Sequence, residues 1–234
     1  MKIAIMQPYF FPYIGYFQLI KAVDKFIVYD DVTYIKQGWI NRNRILANGT
    51  ALMCSVPLKG AGSHVLIRDV VINVGLFDAW RKKFYRTLEQ NYRKAPNYEQ
   101  VLMLIQEVLA GEPSHIATLA VHSIRSVCNY LHINTDIVET AVKYNNSELK
   151  SEERVIDICC KERTDIYVNA YGGQELYSRD HFKIRGIDLH FIRSRDVLYV
   201  QYKTPFVPSL SIIDVLMFNS QKTVQKLLNE YDLV

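Results

Sequence analysis

Two short apolar runs near the start of the chain do most to limit its fold. Ile3-Ala4-Ile5-Met6 is rich in β-branched residues and stops at Gln7-Pro8, and Phe26-Ile27-Val28-Tyr29 stops at Asp30-Asp31. Runs this short and this continuously apolar predict strands covered on both faces, as in a parallel sheet. Tyr13 to Val23, between them, has a helical pattern. The result is a β-α-β opening and an α/β fold with a partly parallel central sheet.

The pattern then loosens and returns. Residues Trp39 to Leu46 alternate, Leu52 to Leu58 and Ile67 to Val74 read as two further strands, and Gly60-Ala61-Gly62 supplies a flexible turn between them. Three amphipathic helices follow and predict a helical insertion over residues 76–132. In the first, Phe77, Trp80, Phe84, Leu88 and Tyr92 share a face, with Arg81, Lys82, Lys83 and Arg86 mostly turned away. The second runs from Tyr98 to Ala110 and ends at Gly111; the third runs from Ser114 to Leu131. A strand at Asp136 to Thr140, a helix at Ser151 to Arg163, a strand at Asp165 to Ala170 ending in Tyr171-Gly172-Gly173, and a strand at Ile187 to Ile192 complete the α/β pattern. The chain closes with a helix from Ser211, where Asp214 three positions on has the shape of a capping box. No repeat or Pro/Gly/Ser linker divides it, so residues 1–234 read as one α/β domain.

Composition narrows the function classes. With 49% hydrophobic and 22% charged residues, the 234-residue chain has material for a real core and is neither disordered nor fibrous. A net charge of +4 permits anionic substrates but does not call for nucleic acid. Ile3 to Ile20 carries no charge, yet Pro8, Pro12, Gln7, Gln18 and three tyrosines interrupt it, so neither a membrane span nor a signal peptide is expected. Cys54, Cys128, Cys159 and Cys160 read as reduced core thiols in a cytoplasmic protein, and no pair has zinc-site spacing. The histidines His64, His115, His122, His132, His181 and His190 form no His-x-x-x-His pair, so no metal is expected.

In open α/β sheets, ligands bind beyond the carboxyl ends of the strands. That rule selects Gln7-Pro8-Tyr9, Asp30-Asp31 and Asn169 with Gly172-Gly173. The two aspartates are either acid–base or sugar-hydroxyl groups, or a turn or helix cap. In the alternating stretch Trp39, Asn41 and Asn43 share a face, lining a polar pocket or a wet strand edge. Arg42 and Arg44 on the other face suit phosphate or plain solvent. His64 in the glycine-rich turn is the best imidazole for proton transfer, with an ordinary loop histidine as the alternative. Gly172-Gly173 is a weak phosphate signal without a P-loop lysine. The aromatic crowd Tyr9, Phe10, Phe11, Tyr13, Tyr16 and Phe17 fits either core packing or stacking on a base or sugar.

Several motifs in order carry a resemblance: Met6-Gln7-Pro8-Tyr9, Phe11-Pro12-Tyr13-Ile14-Gly15-Tyr16-Phe17, Asp30-Asp31, Gly38-Trp39-Ile40-Asn41-Arg42-Asn43-Arg44, Ser55-Val56-Pro57, Tyr167-Val168-Asn169, Gly172-Gly173 and Leu210-Ser211-Ile212-Ile213-Asp214. On these, from Lys2 to the final helix, the sequence resembles the WbqC-like family of bacterial O-antigen and surface-polysaccharide gene clusters. The resemblance implies N-acyl transfer from acetyl-CoA to the amine of a dTDP-linked 3-amino-3,6-dideoxyhexose. In that reading Asp31 is the base or amine-positioning carboxylate, followed by Asp30 and His64. Gln7, Lys36, Trp39, Asn41, Asn43 and Asn169 contact substrate, Arg42 holds a phosphate, Tyr9 or Tyr13 stacks on the base, and Gly172 and Gly173 approach the diphosphate. Three alternatives stay open. One is glycyl transfer to the same sugars. Another is a nucleotidylyltransferase-like enzyme, for which Tyr13-Ile14-Gly15-Tyr16 lacks the turn histidines. The third is a non-catalytic sugar-nucleotide-binding module docking through Arg81 to Arg86.

Overall fold

A computed structural model describes residues 1–202 and 205–234. The strand at Lys2–Met6 (β1) lies inside a six-stranded sheet, and everything else is arranged around it. It is followed by a helix, Ile14–Lys21 (α1), and by Lys25–Val28 (β2), which pairs beside β1 in parallel over four residues. A long crossover follows. It holds a hairpin of Arg42–Ala47 (β3) with Thr50–Ser55 (β4), a two-residue pair of Leu58–Lys59 (β5) with Val71–Ile72 (β6), and the helices Val74–Tyr92 (α2), Tyr98–Leu109 (α3) and Ile116–Tyr130 (α4). The chain re-enters the sheet at Asp136–Val138 (β7), parallel to β2, and then forms the helix Ser151–Lys161 (α5).

From α5 the chain crosses to the other side of β1. Ile166–Ala170 (β8) pairs with β1, and after the helix Arg179–Ile184 (α6), Asp188–Ser194 (β9) pairs with β8, all in parallel. The helices Ile212–Phe218 (α7) and Gln221–Leu227 (α8) precede a last strand, Tyr231–Leu233 (β10), antiparallel to β9. The sheet order is therefore β10-β9-β8-β1-β2-β7, a mostly parallel sheet that reverses direction of growth between β1 and β8. At that switch point the ladder covers only Lys2–Ile166 and Ile3–Tyr167, against four pairs for β1–β2 and five for β8–β9. The carboxyl halves of β1 and β8 separate, which is where such sheets receive ligands.

Two apolar layers cover the sheet. Ala4, Phe26, Val28 and Val168 face a core shared with α1, α2, α3, α4, α7 and α8. Ile3, Ile5, Ile27, Tyr167 and Leu189 face α5 and α6. The alternation along β1 decides which residue meets which layer. α2, α3 and α4 occupy most of this stretch, residues 76–132, and their apolar stripes are continuous with the main core.

Local expectations are corrected in four places. The alternation at Trp39 becomes a strand only at Arg42, because residues 38–41 turn under the loop after β1. The strand expected at Leu52 to Leu58 starts at Thr50 and breaks after Ser55, since Asn48 and Gly49 both hold positive φ and close a tight hairpin. The strand expected at Ile67 to Val74 is a 3-10 turn at Ile67–Asp69, the short β6 and the first residue of α2. The final helix is two helices and a strand. At α7, Ser211 Oγ accepts the Ile213 N–H at 3.2 Å, but the Asp214 carboxylate turns away, so only half of a capping box forms.

Candidate functional site

The loop from β1 to α1 passes over the separated strand ends and is pinned on every side. Tyr16 donates its hydroxyl to the Gln7 carbonyl at 2.8 Å, and Phe11 N–H donates to Ser123 Oγ on α4 at 3.0 Å. The Phe11 carbonyl accepts both Asn43 Nδ2 and Ser211 Oγ at 2.7 Å. These bonds hold Phe11 at φ +40°, a left-handed value that a bulky residue adopts only when its surroundings impose it. The loop is therefore rigid and preorganised. Tyr13 caps α1 with no side-chain bond to the helix and lays its ring against Gly15, where a Cβ would stand 2.4 Å from the ring. Gly15 is what lets the tyrosine lie there.

Beside this loop is a cavity of about 280 Å3 lined by Tyr9, Tyr13, Trp39, Asn43, Arg44 and Ser209. Four of the six were selected from sequence. Arg44 was weighed beside Arg42 without being given a role, and Ser209 was missed. The Arg44 guanidinium lies 5.3 Å from the Trp39 ring centre and donates from Nη2 to the Ser209 carbonyl at 3.0 Å, while its buried Nε has no partner among the described residues. Burial pushes the Tyr9 hydroxyl up to about 12, with Tyr13 adding to the effect, and raises Tyr13 as well, so both phenols stay protonated donors. The site combines aromatic faces, hydroxyl donors and one incompletely used cation.

The other sequence-derived residues lie elsewhere. Asp31 forms a buried ion pair with Arg154 of α5, Nη2 to Oδ2 at 2.5 Å, with side chains 6% and 4% exposed. Arg154 Nε also donates to Asn146 Oδ1 at 3.0 Å, and its guanidinium lies 4.9 Å from the Tyr29 ring centre. Asp31 Oδ1 is buried without a partner among the described residues. Asp30 accepts from Thr140 Oγ1 at 2.9 Å and from Ala141 N–H at 3.1 Å, so it caps the 3-10 turn Ala141–Tyr144. Burial raises its pKa against those bonds. His64 is exposed in the turn between β5 and β6, and Lys36 is exposed ahead of Gly38. The cavity receives no carboxylate or imidazole from this set.

Asn41 is engaged with Tyr34 and the Val56 carbonyl, which ties the loop to the hairpin. Arg42 folds back on the carbonyls of Gly38 and Gln37. It is Arg44, two residues on, that faces the cavity. At the end of β8, Asn169 is buried and accepts the Ala170 N–H at 2.7 Å. Residues Tyr171–Leu176 wind into a 3-10 turn in which a Cβ on Gly173 would meet the Asn169 amide nitrogen at 3.2 Å, while Gly172 faces open space. The loops after β1 and β8 do belong to neighbouring strands, and the room at Gly173 is taken by Asn169. Burial pushes Cys54 up to about 11 and Cys128 up to about 12, and raises Cys159, so these thiols stay protonated.

A second cavity of about 380 Å3 continues from the first across Tyr13 and Ser209, under residues 194–199 and 206–210. Its outer wall is anchored from behind. Tyr199 Oη at 2.5 Å, Gln201 Nε2 at 2.8 Å and Tyr92 Oη at 2.7 Å all donate to the buried Asp214 carboxylate, whose pKa burial raises. Among the described residues three donors and no cation hold this carboxyl.

Comparisons with known proteins agree with the motif order. The model of the WbqC-like protein family matches residues 7–226. An uncharacterized protein of Mycobacterium tuberculosis, Rv1507c, is 31% identical over 223 residues, covering 93% of each chain. No solved structure matches the chain. Among the described residues no helix is long and apolar enough to cross a membrane. A match running from the loop after β1 through α8 takes in every residue of the Tyr9–Arg44 cavity, and the chain belongs to the WbqC-like protein family.

Proposed function

We propose that the protein is a transferase that carries an acyl group from a coenzyme A thioester to the amino group of a nucleotide-linked sugar. The sugar would be a dTDP-linked 3-amino-3,6-dideoxyhexose, at a cytoplasmic step of O-antigen synthesis. One observation carries the reading: the cavity at the sheet's carboxyl edge where three aromatic rings and the Arg44 guanidinium converge. Rings of Tyr9, Tyr13 or Trp39 offer faces to a base or sugar, and a guanidinium with a spare N–H offers charge-assisted hydrogen bonds to phosphate. Arg44 takes the role expected of Arg42.

The chemistry asks mainly for alignment. A neutral amine attacks the thioester carbon, the new C–N bond forms as the C–S bond breaks, and the departing thiolate takes the proton shed by nitrogen. Holding amine and thioester in line supplies most of the acceleration, and a phenol held protonated by burial, Tyr9 or Tyr13, can donate to the developing oxyanion. No step requires Asp31, whose carboxylate is shielded and bound to Arg154. Purified protein supplied with acyl-CoA and a panel of dTDP-amino sugars should release free thiol, and the Arg44→Ala variant should show a raised KM for the nucleotide sugar.

A second reading, a nucleotidylyltransferase-like enzyme, has one observation in its favour: α1 starts directly after the loop at the β1–β8 switch point, with no acidic residue in its first turn. Pyrophosphate release from a nucleoside triphosphate, without thiol release, would select it. Binding of the nucleotide sugar with neither product would select a non-catalytic binding module.

A further inference from the structure

We infer that the second cavity is an acyl-chain pocket, so that the preferred donor carries a short hydrophobic acyl group longer than acetyl; this rests on the acyl-transfer reading. The two cavities share Tyr13 and Ser209, so a thioester meeting the amine of a sugar seated on Arg44 and Trp39 can run its acyl chain past the tyrosine into the second cavity. The chemistry changes across that boundary. Beyond it the walls are largely apolar, formed by Ile14, Leu210 and Val215 below and by Val197, Leu198 and Phe206 above. Two charged residues border it. Arg195 is drawn outward to Glu230 and Asp232, which leaves Asp196 exposed on the rim.

An apolar hollow in water tends to close by collapse, and here the wall is prevented from moving inward. Phe206 packs edge-on against Tyr199 with ring centres 5.1 Å apart, and Tyr199 is tied to Asp214 on the far side. Gln201 is bonded at both ends of its amide to Val207 and again to Asp214. The wall is thus strapped to α7 rather than to the pocket contents. Leu198, an apolar side chain, stands 70% exposed at the mouth. A pocket of this shape and chemistry gives an acetyl or glycyl group little to touch. A chain of about four to six carbons would cover the apolar floor, at about fourfold in binding per methylene buried.

The test is a donor series of acetyl-, butyryl-, hexanoyl- and glycyl-CoA with one amino sugar, reading kcat/KM by thiol release and, separately, Kd of each donor by calorimetry. Hexanoyl-CoA should exceed acetyl-CoA at least tenfold in kcat/KM and bind with a Kd at least tenfold lower. Leu198→Glu, a change on an exposed residue, should shrink that ratio by placing charge at the mouth, and Phe206→Ala should move the optimum toward longer chains. Turnover that is flat with chain length, or best with acetyl or glycyl, overturns the pocket while the acyl-transfer reading stands. If no donor releases thiol, that reading fails; chain-length-dependent Kd values would then still support the pocket, and equal ones would overturn it too.

Discussion

The carboxyl edge of the sheet presents two unlike faces. Toward α5, the polar groups are paired within the protein: Arg154 is shared among Asp31, Asn146 and the Tyr29 ring, and at the opposite, amino end of the same face Glu162 at the end of α5 is surrounded by Lys25, Lys143 and the Tyr144 hydroxyl. Toward α1, rings and a half-employed guanidinium enclose open space. Both faces contain an arginine with an aromatic partner, yet Arg154 spends all three of its nitrogens on protein oxygens and Arg44 does not. Residue type alone does not distinguish a site from a strut. What distinguishes them is how much of the hydrogen-bonding capacity the protein itself consumes.

The sharpest way to break the comparison is to cut both arginines to Met. Arg154→Met leaves Asp31 as an unpaired buried carboxylate and should cost about 3–5 kcal/mol of stability in urea unfolding. Arg44→Met should change stability by less than about 1 kcal/mol, because its ion is half-exposed, while weakening nucleotide-sugar binding about 10- to 100-fold, as expected for a charged hydrogen bond. Equal losses of stability would mean that the cavity is a strut as well. Asp31→Asn should follow Arg154→Met, lowering activity only as far as it lowers the folded fraction.

Smaller effects sharpen the contrast. Tyr13→Ala should weaken ligand binding about tenfold through lost stacking, and Gly15→Ala should produce part of that loss by displacing the ring without removing it. Calorimetry on both variants tests whether the ring's position matters or only its presence. The two faces should also respond to pH with opposite sign. Glu162 is held down at about 2 by Lys25, Tyr144 and Lys143, which outweigh its burial. Its stabilisation is therefore complete above the ordinary value of 4.5 and is lost as pH falls toward about 2. Asp214 on the α1 side is raised by burial, so the folded state holds its proton longer than the unfolded state. It favours folding most below 3.8, and that contribution falls as pH rises through the raised value. Thermal melts should show the acid-side loss flattened in Glu162→Gln and the opposing slope removed in Asp214→Asn.

How far the sequence reached depends on distance along the chain. The strands β1, β2 and β8 were legible because burial on both faces writes a largely apolar run, and β9 was legible from Leu189, Phe191 and Ile192. Their order was not, since the adjacency of β1 and β8 joins residues about 160 positions apart. The hairpin turn was legible in Asn48-Gly49 and went unused. Arg154 also left a signal: it shares the buried stripe of α5 with Val155, Ile158 and Cys159, and a charge on an apolar stripe needs a partner. Alternation put Arg42 and Arg44 on one face as equals. Only the turn at residues 37 and 38 and the approach of Ser209 from far along the chain separate them.

Putting β1 at the middle of the sheet also has a consequence for how the molecule is made. Lys2 and Ile166 are ladder partners, so β1 must wait for the 163 residues between them before its second edge is covered. At ~5–20 residues per second on the ribosome, that interval is about 8–33 s, during which β1 can pair only with β2. A central strand with one raw edge is a template for wrong pairing. The crossover from β2 to β7, with its three long helices and local contacts, is synthesised within that interval, and its apolar stripes bury the α1 side of the sheet before β8 exists. The helical stretch that looks like an addition to the α/β pattern is thus positioned to shelter the unfinished sheet while the chain is still emerging.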